Sequence, residues 1–397
     1  MVVANNPHLN ACAIVGIGAT EFSRNSGRSE LTLATEAAVA AAADAGVAVS
    51  DIDGMVRCDM DFVQHNALAD ALGLPNLSFW SDVGVGGGAP AAMVGQAVAA
   101  IMSGQASTVL VYRALNGRTG ARYGQGDGQG AEGGGGGSYL EYFSPYGLNT
   151  PGQMWSMLAR RHMVEFGTTS EHLAHIAMTC RENANANPLA QMHGRPMTMD
   201  DYLASPMLTD PLRLFDYCIE TDGAVALIVT SLERARDLPQ PPAVIRAVAQ
   251  GVQAGMQPGI AFPSMMRASL TTMPSAPTAA RLYARAGMTP ADIDVAQFYD
   301  CFTMTALIQL EDYGFCAKGE GGPFAASGAI RRGGSIPINT AGGHLSEGYL
   351  HGVNHILEGV RQIRGTSTSQ VEGAEVSLVT SGLPIATSAM ILTKGVL

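Results

Sequence analysis

The sequence predicts a duplicated, layered α/β fold, and three observations predict it. Short apolar runs alternate with Ala-rich helical stretches toward both ends of the chain, the pattern of helices layered on a sheet. The stretch Ala45-Gly46-Val47-Ala48-Val49-Ser50-Asp51-Ile52-Asp53 parallels Ala286-Gly287-Met288-Thr289-Pro290-Ala291-Asp292-Ile293-Asp294, each ending a helix and leading into a strand. A second echo pairs the helix and strand around Gly104–Tyr112 with those around Gly365–Thr380. Repetition of a whole unit marks an internal duplication rather than a solenoid. Two similar halves with an insertion after the first imply five layers, α/β/α/β/α.

The elements follow in order. Ala11–Ile17 is an apolar run closed by Gly18 and reads as a buried strand. Leu31–Ala45 reads as a helix with Gly46 as its C-cap. Gly54–Cys58 is a second strand, Ala89–Ser103 a helix closed by Gly104, and Thr108–Tyr112 a further strand. The pattern then changes. Asn116–Ser138 is rich in Gly and Arg, and helical signals follow at Gln153–Phe166 and Ser170–Asn183 before Val225–Thr230 restores the strand pattern. We therefore expect an N-terminal half over 1–115, a loop domain with its return strand over 116–240, and a C-terminal half over 241–397.

Composition narrows the function. The 397 residues are 47% hydrophobic and only 14% charged, enough for a large core. The net charge is −11 and no Lys/Arg cluster offers a phosphate-tracking surface, which argues against nucleic acid. Six cysteines, at 12, 58, 180, 218, 301 and 316, form no C-x-x-C pair and no zinc spacing, and read as reduced thiols. No basic segment followed by an apolar run opens the chain, and no stretch of about 20 apolar residues could span a membrane. A cytoplasmic protein is expected. The Gly-rich run Gly124–Gly137 lacks the order of a phosphate-binding loop and reads as a flexible connection. Arg113, Arg118 and Arg122 read as solvated loop charges, with CoA phosphates or a partner surface as the alternative. The Met-rich stretch Met256–Met273 reads as core filling, and a sterol-sized pocket would also welcome it.

Local text carries a resemblance. Arg161-His162-Met163 with Phe166-Gly167-Thr168-Thr169, Asn185-Ala186-Asn187-Pro188, Pro211-Leu212-Arg213-Leu214 and Thr221-Asp222-Gly223-Ala224, on this duplicated layout, resemble the thiolase superfamily over nearly the full chain. The nearest branch is the thiolase part of sterol carrier protein X. The active-site motifs depart from that pattern. The family's nucleophilic Cys stands just before the helix preceding the fourth strand, and that place falls in Val85-Gly86-Gly87-Gly88, at about Gly87. No Cys lies between Cys58 and Cys180. The second motif, Asn-Glu-Ala-Phe or His-Asp-Cys-Phe in the family, reads Tyr299-Asp300-Cys301-Phe302. In the third, Gly342-Gly343-His344-Leu345-Ser346-Glu347-Gly348 leads into Tyr349-Leu350-His351-Gly352, and Tyr349 replaces the family's activating His. The second family Cys, near the C-terminus, falls in Thr380-Ser381-Gly382 and is also missing.

Two lost cysteines and two tyrosines in active-site motifs resemble the thiolase-like aldolases of bacterial steroid side-chain degradation. The resemblance implies retro-aldol cleavage of a β-hydroxyacyl-CoA, without a cofactor because CoA is part of the substrate. It also implies an OB-fold, zinc-ribbon partner protein, a homodimer core and an α2β2 assembly. Thiolysis needs an activated nucleophile. Retro-aldol cleavage needs instead a base for the β-hydroxyl proton, donors for the enolate and an acid for the α-carbon. Tyr299 and Tyr349 are the candidate acid/base pair, with His344, His351 and Asp300 as neighbours that tune them; the motifs do not say which tyrosine takes which step. No ligand cluster for a metal is visible. Two alternatives stay open: a thiolase or acyltransferase using a displaced nucleophile such as Cys301, and a non-catalytic sterol or acyl-CoA carrier.

Overall fold

The computed structural model describes residues 9–84, 86–120, 144–148, 150–252, 269–382 and 386–395. The Gly124–Gly137 run, Arg122, Val85 and the Met-rich stretch up to residue 268 lie outside the described residues.

The N-terminal half runs β1 (Cys12–Ala19), α1 (Glu30–Ala45), β2 (Gly54–Cys58), α2 (His65–Leu72), β3 (Phe79–Val83), α3 (Pro90–Met102) and β4 (Thr108–Asn116). Beyond β4 the described residues up to 221 leave the sheet. They carry α4 (Pro151–Phe166), α5 (Ser170–Ala186), α6 (Met199–Ala204) and a small hairpin of β5 (Met207–Thr209) and β6 (Leu212–Arg213). Thr150 and Thr169 start α4 and α5 with capping boxes, which is why both helices begin sharply. The chain returns as β7 (Asp222–Ser231), and Asn116 pairs with Asp222 at the mouth of the insertion. The C-terminal half comprises β8 (Ala243–Val252), α7 (Ser275–Ala286), β9 (Val295–Gln297), α8 (Thr303–Asp312), α9 (Gly321–Ala326), α10 (Gly343–Ser346), α11 (Val353–Arg364), β10 (Val376–Ser381) and β11 (Ala386–Thr393).

The duplication is exact at the level of topology. One nine-stranded sheet has the order β3-β2-β4-β7-β1-β8-β11-β10-β9. Ile338 forms a parallel bridge with Ala296 of β9 and supplies the missing outermost position. Each half therefore reads 3-2-4-5-1 in its own strand count. The echoed stretches occupy equivalent places: α1 and α7 both end on a glycine at φ +67° (Gly46 and Gly287), followed by a short 3-10 turn and a strand. Likewise α3 and α11 each lead, through Gly104 and Gly365 at φ +73° and +74°, into β4 and β10.

The halves meet where β1 pairs with β8 (Ala13 with Val244, Ile14 with Ala243). Between the two halves of this sheet lie α3 and α11. Met93, Val94 and Ala97 of α3 and Val353, Ile356, Leu357 and Val360 of α11 share one buried core with strand residues of both halves. Outside, α1 covers the N-terminal sheet with buried Leu33, Ala34, Ala37, Ala38 and Ala41. A separate core joins α4, α5, α7 and α8 to the C-terminal sheet. These are the five layers expected. Sequence reading did not anticipate α2 and β3. Among the described residues no helix is long and apolar enough to cross a membrane.

Arg364, at the end of α11, ties the halves together. Its side chain is buried, pairs with Asp44 of α1 at 2.7 Å, and donates to the carbonyls of Val15 (2.7 Å) and Pro241 (3.1 Å). Hydrogen bonds to a charged group contribute about 1.5–3 kcal/mol each when one partner is removed. Arg364→Met is expected to lower the free energy of unfolding by about 2–3 kcal/mol, read from the urea midpoint at unchanged slope.

Candidate active site

The loop after β9, the turn before α3, and the α10–α11 segment converge between the two halves. Tyr299 leaves β9 with its backbone fixed at both ends. Its N–H donates to Thr380 Oγ1 (3.1 Å), and its carbonyl accepts from Thr305 Oγ1 (2.9 Å) and Gln309 Nε2 (2.8 Å). The side chain is buried and its hydroxyl lies 3.0 Å from that of Tyr349. Tyr349 is half-buried and held by its own N–H on Thr221 Oγ1 (3.0 Å), so the end of the insertion positions it.

Gly87 explains where the Tyr299 hydroxyl sits. A Cβ at Gly87 would lie 2.0 Å from that oxygen and 2.3 Å from the ring carbon bearing it. The phenol thus fills the space of the side chain that Gly87 lacks, just before α3. The N-terminus of α3 is closed locally: Ala91 and Ala92 donate to Ser381 Oγ (3.4 Å) and Ser388 Oγ (3.1 Å). A tyrosine at 299 in this rotamer and any larger residue at 87 exclude each other.

His344 lies between the tyrosines, its ring 4.7 Å from Tyr299 and 4.8 Å from Tyr349 and nearly perpendicular to both. His351 is 5.1 Å from the Tyr349 ring and holds a left-handed backbone conformation at φ +52°. A positive φ is uncommon outside glycine, though histidine is among the residues that adopt it more readily, and here it is combined with burial. Asp300 does not face the tyrosine hydroxyls. It accepts from the backbone of His344 (2.8 Å) and Leu345 (3.3 Å), from His355 Nε2 (3.0 Å) and from Cys180 Sγ (3.5 Å). It therefore caps α10, and it does so as a buried group behind the site. Of the five residues expected from sequence, Tyr299, Tyr349, His344 and His351 are brought together, and Asp300 lies behind them.

Electrostatics keep the two histidines neutral. Burial pushes His344 well below the ordinary histidine range, helped by the neighbouring His355, against the pull of Asp300. Burial and then the Arg113 guanidinium do the same to His351. Burial, reinforced by Tyr349, raises Tyr299 well above the ordinary phenol range, so it stays protonated. Burial alone would raise Asp300, but the hydrogen bond and charge of His355, with His344, outweigh it and hold the carboxyl below its ordinary range.

Several residues were missed or misread. Arg113, read as a solvated loop charge, is fully buried in β4; it pairs with Asp61 at 3.1 Å and donates from Nε to His351 Nδ1 at 3.2 Å. Arg118 does lie in the loop, beside Glu220 (3.5 Å). His355, on α11, had no motif to mark it. Cys301, the alternative nucleophile, is buried; burial, then the neighbouring Cys218, pushes its thiol well above the ordinary range. Such a thiol is a poor nucleophile. Among the described residues Asp300, His344 and His355 bring metal-ligand atoms within 4.8 Å of one another. Asp300 already accepts four donors there, one of them His355 Nε2, while both ring nitrogens of His344 are buried without a hydrogen-bond partner among the described residues.

Residues 263–394 match the family model for a thiolase C-terminal domain-like region. The chain is 47% identical over 382 residues to a 17-hydroxy-3-oxo-4-pregnene-20-carboxyl-CoA lyase of Mycobacterium tuberculosis, covering 96% of this chain and 98% of the relative. It is 46% identical to a steroid side-chain-cleaving aldolase of Thermomonospora curvata, covering 96% and 97%. A solved structure described as the Ltp2-ChsH2(DUF35) aldolase superposes with a TM-score of 0.91 at 45% identity, over 98% of this chain and 99% of that one.

Glu347, in the turn behind His344, is buried beside Glu358 and Arg361. Burial, with the charge of Glu358 and against the pull of Arg361, raises its carboxyl to about 8. The folded state binds this proton more tightly than the unfolded chain. The associated stability is complete below the ordinary carboxyl range and is lost as pH rises through about 8. Glu347→Gln should therefore raise the melting temperature at about pH 9 and leave it nearly unchanged at about pH 5, as read by calorimetry at both pH values.

Proposed function

The chain belongs to the thiolase-like, steroid side-chain-cleaving aldolases, and from that membership we propose that it cleaves a β-hydroxyacyl-CoA carried on a steroid side chain, giving a ketone or aldehyde plus acetyl-CoA or propionyl-CoA. The fold is the thiolase fold and the chain is a carbon–carbon lyase. The observation that carries the chemistry is the Tyr299 hydroxyl, which occupies the space beside Gly87 and lies 3.0 Å from the Tyr349 hydroxyl. No thiolate stands there to form an acyl-enzyme.

Retro-aldol cleavage removes one proton from the β-hydroxyl and delivers one to the α-carbon. A hydrogen-bonded tyrosine pair can perform both at no net change in charge. The β-hydroxyl proton passes to the Tyr349 oxygen, the Tyr349 proton to Tyr299, and the Tyr299 proton to the α-carbon. The three transfers are concerted with cleavage: the Cα–Cβ electron pair develops enolate character on the thioester as the Tyr299 proton reaches the α-carbon, so neither phenol ever carries two protons, and the β-carbon becomes the carbonyl. This direction is supported by the place of Tyr299, where a thiolase would hold the sulfur that meets the thioester, and by the greater exposure of Tyr349. Neither phenol needs to be ionised at rest, in keeping with the raised Tyr299. No metal or cofactor has a role in this scheme, and activity is expected to survive chelators.

The assembly proposed is a homodimer core with one DUF35-type, OB-fold and zinc-ribbon partner per subunit, an α2β2 arrangement. Support comes from the description of the Ltp2-ChsH2(DUF35) structure and from β3. That strand lies at the end of the sheet and pairs with β2, leaving an outer edge. Trp80 on it is 64% exposed and Phe62 nearby 63%. An exposed strand edge flanked by large apolar side chains is a template for pairing.

Tyr349→Phe and Tyr299→Phe each remove one hydroxyl and almost no volume, so folding should hold while turnover of a β-hydroxyacyl-CoA falls about 100- to 10,000-fold. If the pair acts as a unit, the double variant should fall well short of the product of the two losses. Gly87→Ala should also inactivate by displacing the Tyr299 phenol, whereas Cys301→Ala should keep most activity. A dead Cys301→Ala beside a near-normal Tyr349→Phe would sink the retro-aldol assignment. For assembly, Trp80→Glu is expected to shift the mass seen by light scattering from dimer-based to monomer-based species.

A further inference from the structure

We propose that Arg113 is a positioning residue of this site: with Asp61 behind it, Arg113 fixes His351 as the tautomer that accepts at Nδ1 and carries its proton on Nε2, so that His351 serves the tyrosine pair as a hydrogen-bond donor and never as a base. The inference rests on the lyase reading for its catalytic meaning.

A guanidinium has five donors and no acceptor, and it stays charged in any folded protein. The atom that Arg113 Nε meets at 3.2 Å, Nδ1 of His351, must therefore present a lone pair. The guanidinium cannot turn away to release that constraint. Its Nη1 is held by Asp61 Oδ2 at 3.1 Å and by the carbonyl of Ala114 at 3.2 Å, and all of it is buried. Asp61 is fixed in turn by the N–H groups of Val63 and Ala114, both at 2.9 Å. The chain of contacts runs from the loop after β2, through β4, to the segment between α10 and α11, and so crosses from one half of the fold to the other.

His351 is equally constrained from its own side. Its φ of +52° and its burial hold the ring against both Arg113 and the ring of Tyr349. The charged or titratable groups facing it are Arg113 from β4, Tyr349 from its own segment and His344 from α10. The cation beside it opposes a second proton, and the lone pair at Nδ1 is taken. What remains is one neutral ring with one N–H. A neutral donor is what a developing phenolate or enolate requires, because it stabilises the anion without handing over a full proton. Arg113 is placed to act on the tyrosines through this ring.

The test reads the tautomer directly. Wild-type protein with its native partner is labelled with nitrogen-15 histidine, and the His351 signals are identified by their loss in His351→Gln. The expected result, without substrate, is a neutral ring protonated on Nε2 that does not titrate between about pH 5.5 and 8. A proton on Nδ1, or a titration inside that range, overturns the proposal whether or not the enzyme is active. The lyase reading is tested separately by turnover of a β-hydroxyacyl-CoA by the wild type. In a second arm, Arg113→Met combined with Asp61→Asn removes the buried pair together and preserves charge balance. It should slow turnover about 10- to 100-fold, and the His351 ring, still buried but no longer held at Nδ1, should then show a nitrogen-15 pattern with the Nδ1-protonated tautomer populated. A loss with the His351 ring unchanged would assign Arg113 a purely structural role and reject the inference. Should the double variant fail to fold, the wild-type nitrogen-15 result decides alone.

Discussion

The buried carboxylate of Asp300 is the constraint on which the site depends. Four donors from three parts of the chain converge on it: two backbone N–H groups at the start of α10, His355 from α11, and Cys180 from α5. Gly343 is the reason the carboxylate can come this close, since a Cβ there would lie 2.3 Å from Asp300 Oδ2. Removing a partner from a buried charge costs several kcal/mol, so these elements cannot separate independently. Asp300 is also the residue after Tyr299, and α10 ends three residues before Tyr349. The same carboxylate therefore sets the distance between the tyrosines. Its place in the sequence motif reflects this bracing more than any contact with a substrate.

Around that brace, the site is built to hold almost no mobile charge. His344 and His351 are neutral, Tyr299 keeps its proton, and the Arg113–Asp61 pair cancels internally. A thiolase-type site needs the opposite, an ion pair ready to present a thiolate. A retro-aldol relay creates charge only in passing. Fixed dipoles and polarisable phenols suit it, since they stabilise a transient enolate without having to be reorganised. The middle layer of the fold provides the dry surroundings: α3 and α11 close the space between the two halves of the sheet with a buried core of their own.

The sequence shows the duplication because its marks are local and obligatory. A helix that must turn sharply into a strand ends on a residue able to adopt positive φ, and Gly46, Gly287, Gly104 and Gly365 keep those places in both halves. The tyrosines are legible for a different reason: they stand inside motifs whose family pattern requires other residues. By contrast α2 and β3 leave weak traces. Helix α2 has eight residues and no side-chain cap, and β3 alternates Trp80 and Asp82 outward with Phe79, Ser81 and Val83 inward, a pattern too short and too polar to stand out. Arg113 could have been found. Val109 and Val111 face the middle layer, and in a strand continued by two residues Arg113 falls on the same face. Ending the strand at Tyr112 moved it into a loop. His355 and Asp61 carried no signal, because their roles exist only once the two halves are folded together.

The exchange at Gly87 shows why the reaction changes class instead of merely slowing. Replacing a nucleophilic cysteine by glycine removes an atom that forms bonds, but it also removes a volume. In this chain the volume is refilled by a phenol that arrives from the other half of the duplication, along β9, at the same end of α3. The two replacements are coupled by space. Tyrosine at 299 cannot adopt this position while any side chain stands at 87, and glycine at 87 would leave a buried void without a tyrosine to fill it. Once the pair is in place, the hydroxyl beside Gly87 can give a proton but is no thiolate to form an acyl-enzyme, and its partner lies 3.0 Å away. Cleavage between the α- and β-carbons is a reaction such a pairing suits, since it needs one proton taken and one returned with no covalent intermediate.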